Sequence, residues 1–330
     1  MQKLRWGVLS TAKIGRTKVI PAIQTSIHGE VVAICSRTQA SAQAAADELG
    51  IARAYASYEE LLADPNIDAI YNPLPNHLHV PWSVKALEAG KHVLCEKPLG
   101  LDAADLTPLL EAAVKYPQLK VMEAFMYRFH PQWDKVHELI NNGSIGQLRS
   151  IHSHFSYNNR EAENIRNSAE MGGGALMDIG CYCISLSRYL FSSEPLRVMG
   201  QITPYAGYDV DCFVSGILEF ADGSATFTAA TKMENDQYIK ASGEAGSLSL
   251  AIPFSPDSGV ETSVEIKRNQ VIEELPIAGC DHYRNMADAF ALSVFNKTPV
   301  PTSLEDAVAN MKIIDAIFAS VKTGQWIEVA

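Results

Sequence analysis

"GKHVLCEKPLG", residues 90–100, starts as the interior of a sheet and stops abruptly. Val93, Leu94 and Cys95 suit a strand covered on both faces. Glu96 and Lys97 follow at once, and Pro98 ends the ladder because proline has no N–H to donate. A carboxylate and an ammonium at the tip of a buried strand need a reason, and it comes from the segments on either side.

Toward the N-terminus, short apolar runs at Leu4–Ser10, Val31–Ser36, Ala69–Asn72 and His92–Cys95, then Lys120–Met122, alternate with helical patterns at 14–25, 40–49, 58–63, 77–89 and 103–114. That alternation predicts a parallel sheet with helices on both faces. Ligands of such sheets bind outside the carboxyl ends of the strands, so Glu96 and Lys97 are expected at the edge of a site. Beyond about residue 145 the rhythm changes. Alternating runs at 148–157, 197–203, 211–220, 224–231, 237–242, 247–252 and 264–268 are separated by turns such as ADGS (221–224) and GEAG (243–246). Consecutive strands with short turns predict a mostly antiparallel sheet, with helices at about 174–191, 281–296 and 303–322.

The 330 residues suit two domains, and 47% hydrophobic with 20% charged residues is a globular composition. A net charge of −11 argues against nucleic acid or an anionic membrane as partner. No apolar run reaches the roughly 18 residues of a membrane span, and the apolar stretch at the N-terminus is short for a signal peptide. Six scattered cysteines, in mostly apolar surroundings, read as reduced thiols. The CYC at 181–183 fits no zinc spacing, and no metal is expected. A soluble cytoplasmic protein is the expectation.

The loop after the first run reads GVLSTAKIG, Gly7 to Gly15, with Ser10 and Ala12 where a dinucleotide fingerprint has glycine. Small residues still let a backbone approach a pyrophosphate at a helix start. The loop alone leaves nucleotide binding and an ordinary strand–helix turn both open. The second run ends in CSRT, Cys35 to Thr38, with no acid for a ribose hydroxyl. Ser36 and the Arg37 guanidinium suit a 2′-phosphate, which favours NADP over NAD. In NPLPNHLH, Asn72 to His79, two prolines set a turn, and Asn76 is expected to cap the next helix. His77 and His79 point to different helical faces and do not suit a metal. In MGGGALMDIGCYC, Met171 to Cys183, three glycines predict a flexible turn before a helix whose Asp178 and Tyr182 share one face. His152 and His154 share one strand face, which could line a polar pocket but is expected to be solvated.

Together, EKP at 96–98, NPLPNHLH at 72–79 and GGGALMDIGCY at 172–182 resemble the glucose–fructose oxidoreductase, inositol dehydrogenase and rhizopine-catabolism family of NAD(P)-dependent enzymes. VMEAFMYRFHP at 121–131 and the Lys97–Tyr182 combination look most like its dimeric dihydrodiol dehydrogenases and NADP-dependent xylose dehydrogenases. Tyr182 stands where many inositol-dehydrogenase-like members carry histidine. The resemblance implies an α/β chain, with a Rossmann domain at 1–125 and a substrate-binding and oligomerisation domain at 126–330. The second domain is built on a large, mostly antiparallel open sheet, and the C-terminal helix can pack back on the first. It also implies a cis Lys97–Pro98 bond and a homodimer, or a tetramer of dimers, formed through the open sheet.

For the cofactor, the resemblance implies contacts from Ser10, Thr11, Ala12, Lys13, Ile14, Ser36, Arg37, Asn72, Leu74, Asn76, His79, Glu96, Lys97, Ala124 and Tyr283. For a sugar, polyol or cyclic diol it implies Lys97, Arg128, Phe155, Arg160, Asn164, Asp178 and Tyr182. Tyrosine is a poor base at its ordinary pKa of about 10, and a nearby ammonium stabilises phenolate. Lys97 supplies that charge for Tyr182, while Asp178 holds a substrate hydroxyl or orients Lys97. A family glycosidase with a retained nicotinamide, and a non-catalytic NADP sensor, are the alternative functions.

Overall fold

The computed structural model describes residues 2–161 and 163–329. The chain divides into two compact units, Met1–Phe129 with Asp281–Val308, and His130–Cys280 with Ala309–Ala330. Residues 281–308, sequence-distant from the first five strands, thus lie with the first unit.

That unit holds a parallel sheet of β1 (Leu4–Leu9), β2 (Gly29–Cys35), β3 (Arg53–Tyr55), β4 (Ala69–Asn72), β5 (His92–Cys95) and β6 (Val121–Glu123), in the order β3-β2-β1-β4-β5-β6. Strand order reverses between β1 and β4, which opens a crevice at their carboxyl ends. The helices are α1 (Ile20–Gln24), α2 (Gln39–Leu49), α3 (Tyr58–Ala63), α4 (His79–Glu88) and α5 (Thr107–Lys115). Thr38 and Ser57 cap α2 and α3 with their hydroxyls. The later helix α8 (His282–Asn296) joins this core, with Phe290 5.3 Å from the buried ring of Trp6.

The second unit carries α6 (Gln132–Asn141), α7 (Cys181–Phe191) and a nine-stranded sheet. Its strands are β7 (Leu148–Asn158), β8 (Arg197–Thr203), β9 (Phe213–Phe220), β10 (Gly223–Ala230), β11 (Lys232–Gly243), β12 (Ser247–Leu250), β13 (Thr262–Arg268), β14 (Val271–Ile277) and β15 (Ile327–Glu328). They run in the order β14-β13-β12-β11-β7-β10-β9-β8-β15, and α9 (Leu304–Thr323) links the units along the chain. All the pairings are antiparallel except β7 with β10. On β7, Ile151 and Ser153 are buried, whereas His152 on the opposite face is exposed and lies 2.6 Å from the Thr226 hydroxyl. His154, two residues on, is buried instead of solvated, because Tyr238 stacks over it at 5.4 Å.

Strands β3, β14 and β15 and helix α6 are absent from the sequence reading. The strands are short or largely exposed, so they lack an apolar run. In α6 the buried Trp133, Val136 and Leu139 recur every three residues, a helical signal overlooked next to the Rossmann rhythm. All six cysteines are free thiols, and no described helix is long and apolar enough to cross a membrane.

Candidate functional site

In the first unit, the turn after β1 keeps a dinucleotide-loop shape without its glycine. Ser10 sits at φ 85, in the left-handed region, and its Oγ accepts the Ala12 N–H at 3.3 Å. Thr11, Ala12 and Ile14 are half-buried, Lys13 is exposed, and a helix follows at once. At the end of β2, Ser36 is buried and Arg37 is exposed. Hydroxyls and cations at the carboxyl edge of a parallel sheet form a donor set suited to phosphate groups, so the residues fit NADP.

The 72–79 stretch is different. Asn72 is fully buried, and its side-chain amide donates to the His79 carbonyl at 3.1 Å and the Ser83 hydroxyl at 3.2 Å, while accepting the Leu74 N–H. The two ring nitrogens of buried His79 lie 2.7 Å from the Leu74 carbonyl and 2.8 Å from the Pro98 carbonyl. The side chains of Asn72 and His79 therefore brace the loop and have little capacity left for a cofactor. Leu74 is itself buried. Asn76 lies inside a 3-10 turn, Asn76–Leu78, and does not cap α4, whose N-cap is Leu78.

At the end of β5, the Glu96 carboxylate accepts the Tyr71 hydroxyl at 2.7 Å, and its N–H donates to the Asn72 carbonyl at 3.0 Å. Lys97 is half-buried, and the Lys97–Pro98 bond is cis, as the sequence reading expects. Ala124 is buried and donates its N–H to the Cys95 carbonyl. Tyr283, in the first turn of α8, has its phenol raised by burial and then by the fields of Glu96 and Asp281. Arg128 is committed to an ion pair with Asp306 at 3.0 Å and takes Tyr127 Oη as a second partner. Both partners lie within its own unit.

In the second unit, a π-helical turn, Leu176–Gly180, precedes α7 and carries Asp178. Asp178 Oδ2 accepts from Tyr157 Oη at 2.5 Å and from Arg166 Nε at 3.0 Å. Tyr182, buried on α7, packs edge-on against Phe155 and Phe254, each 5.6 Å away. Phe155 and Phe254 stack on each other at 5.0 Å. A cavity of about 380 Å³, lined by Phe155, Tyr157, Asn235, Asp236, Gln237 and Ser255 among others, suits a small polar molecule. Arg160 is exposed beside Asn158, and Asn164 caps the 3-10 turn Ile165–Asn167.

The glycines at 172–174 form a packed turn, not the flexible one expected. A Cβ on Gly173 would stand 2.5 Å from the Arg166 carbonyl oxygen, and Gly174, at φ 114, abuts Asp211. The sequence reading places Asp211 only at the start of a strand and gives it no role in the site. Its Oδ2 accepts the Leu176 N–H at 2.6 Å and its carbonyl the Ala175 N–H at 2.7 Å, so it caps the helix start that presents Asp178. Tyr157 is likewise given no role there, although the period of two puts it on the face of Phe155. Among the described residues no cluster of three or more His, Cys, Asp or Glu side chains can hold a metal.

Two family models match the chain: an oxidoreductase family with an NAD-binding Rossmann fold, over residues 4–125, and a GFO/IDH/MocA C-terminal domain, over residues 133–249. A D-xylose 1-dehydrogenase (NADP(+)) from Haloferax volcanii is 38% identical over 99% of this chain and 100% of its own. A trans-1,2-dihydrobenzene-1,2-diol dehydrogenase from Mus musculus is 32% identical over 72% of each chain. Among solved structures, a 3-ketoreductase from Actinomadura kijaniata in complex with NADP and TDP-benzene is 30% identical with a TM-score of 0.91. The match covers 97% of this chain and 98% of that one.

The Asp211 cap carries a pH dependence. Burial raises its carboxyl to about 7, against the pull of the Leu176 and Ala175 N–H groups. Because the folded value lies above the unfolded one, the stability it contributes is full below the ordinary carboxylate range and is lost as pH rises through about 7. Thermal midpoints measured from pH 5 to 8 should fall over that window. Asp211→Asn, neutral throughout, should flatten the fall. An unchanged pH profile in the variant would remove Asp211 as its source.

Proposed function

Because the chain belongs to the GFO/IDH/MocA oxidoreductase family, we propose that it is an NADP-dependent dehydrogenase or reductase acting at a secondary alcohol or carbonyl of a sugar or cyclic diol. The observation that carries this reading is within the first unit: Lys97 follows β5 at the carboxyl edge of the sheet whose β1 turn keeps Ser10 left-handed. The substrate names of the xylose and dihydrodiol dehydrogenases support it.

NADP, when bound, supplies the hydride acceptor, or in the reverse direction the donor. Ser10, Thr11, Ala12, Lys13 and Ile14 hold its pyrophosphate, and Ser36 with Arg37 holds the 2′-phosphate. Leu74, Asn76, Glu96, Ala124 and Tyr283 border it, and Asn72 and His79 act through the loop they brace. Tyr182 accepts the proton of the reacting hydroxyl, or returns it to a carbonyl oxygen, and the Lys97 ammonium stabilises the phenolate so formed. Asp178 accepts a second substrate hydroxyl. The ring of Phe155, backed by the fully buried Phe254, offers an apolar wall to a sugar face. The cytoplasm is the compartment, and a homodimer through the exposed face of the nine-stranded sheet is the assembly.

Assays of aldoses, inositols and diols with NADP and NAD test the activity through absorbance at 340 nm, and no nicotinamide turnover with any of them would refute it. Lys97→Met and Tyr182→Phe should each lower kcat at least ~100-fold, with the double variant scarcely worse than either single. Multiplicative losses would separate the two residues.

For the cofactor, Arg37→Ala should weaken NADP at least ~10-fold, the scale of one charge-assisted contact, and leave NAD nearly unchanged. Equal losses would overturn the assignment. Sedimentation at micromolar concentration should show a dimer or larger, and a monomer would refute the interface.

A further inference from the structure

Two side chains that sequence reasoning did not assign to catalysis converge on one carboxylate oxygen. Tyr157 Oη lies 2.5 Å, and Arg166 Nε 3.0 Å, from Asp178 Oδ2, and neither donor shares an element with Asp178. Burial, followed by the field of Asp178, raises the Tyr157 phenol far above its ordinary range, and the opposing charge of Arg166 does not reverse it. Tyr157 therefore remains a donor and is not a second base.

The backbone of Arg166 is held in place. Its carbonyl accepts the Gly174 N–H at 3.0 Å, and Gly173 leaves no room for a side chain beside that carbonyl. The next residue, Asn167, accepts the Lys232 ammonium on its Oδ1 at 2.7 Å. Lys232 is 5% exposed, donates also to the Asn159 carbonyl, and lies 4.0 Å above the Tyr208 ring. Burying an ammonium is costly unless it is well paired. Here the charge is shared between the Asn159 carbonyl and Asn167 Oδ1, which anchors the residue next to Arg166.

We propose that Tyr157 and Arg166 are positioning residues for the reaction. They clamp Oδ2 of Asp178 so that the carboxylate keeps one orientation, and this decides which hydroxyl of a neutral polyol it meets. The proposal rests on the substrate role given to Asp178 above. An ion pair that merely stabilises the fold would raise the melting temperature without setting substrate affinity.

Tyr157→Phe keeps the ring and removes only the donor. With a polyol that the wild type oxidises, it should raise KM at least ~10-fold while kcat stays within ~3-fold, the pattern of lost binding and intact chemistry. NADP affinity should not change. In an Asp178→Asn background the same substitution should add less than ~2-fold, because residues acting through one partner are not additive. Arg166→Lys, which keeps the charge but loses the planar geometry, should raise KM in the same way.

A readout independent of turnover is the 13C NMR titration of ring-labelled tyrosine, with the Tyr157 signal assigned by its loss in Tyr157→Phe. That signal should titrate at lower pH in Asp178→Asn than in wild type. An unchanged titration would overturn the clamp whatever the activity. A shifted titration with unchanged KM in both variants would leave a structural ion pair and overturn the positioning role. Failure of the dehydrogenase reading looks different, since the wild type itself would then turn over no polyol, and the positioning role would fall with it.

Discussion

The carboxyl edge of the first unit depends on one buried amide. Asn72 ends β4, and its side chain spans to the first turns of α4 while its own carbonyl receives the Glu96 N–H. Next to it, the ring nitrogens of His79, neutral because burial pushes its pKa down to about 4, lie against the Leu74 and Pro98 carbonyls, and its single N–H donates to one of them. Loop backbone buried away from water must find partners, and here two side chains supply them for two consecutive strand ends. Glu96 and Lys97 are therefore carried on a rigid corner, and Tyr71 fixes the glutamate from below. Their place at the strand tip follows from this bracing as much as from the proline.

The second unit meets the same problem with side chains remote in sequence. Its helix start is irregular, a π-helical turn, and irregular backbone leaves N–H groups to be capped. Asp211 caps it from the loop ahead of β9, Gly173 and Gly174 let the preceding turn close tightly, and Lys232 holds Asn167, the neighbour of Arg166. Asp178 is thus the meeting point of β7, the 165–167 turn and the π-helical turn.

Much of this was legible from local pattern. Residues Ala69–Asn72, His92–Cys95, Tyr58–Ala63 and Arg197–Thr203 form the elements that their apolar runs and periods indicate. Lys97 stands out because a charge interrupts an apolar run at a strand end, and Asp178 and Tyr182 because their spacing of four puts them on one helical face within a motif that resembles the family's. What escaped depends on partners remote in sequence. Nothing near Asp211 indicates that it will cap a helix beginning 35 residues earlier. The glycines read as flexible because the carbonyl of Arg166, which fills the space beside them, lies on another turn. Tyr157 was within reach, being two residues beyond Phe155 on a strand already recognised. Asn76 looked like a cap, but the prolines around it favour a 3-10 turn first.

A wide sheet invites other copies along its rims as well as across its face. The rims of this one are guarded. One outer strand, β14, carries Glu273, Glu274 and Pro276, and the other, β15, is only two residues long. Charge, a missing donor and brevity each discourage a neighbouring chain from extending the ladder. Rim-to-rim addition repeats without limit and leads to fibres, whereas two faces laid together use each other up. With its ladder closed to newcomers, the nine-stranded sheet resists growth into open-ended polymers.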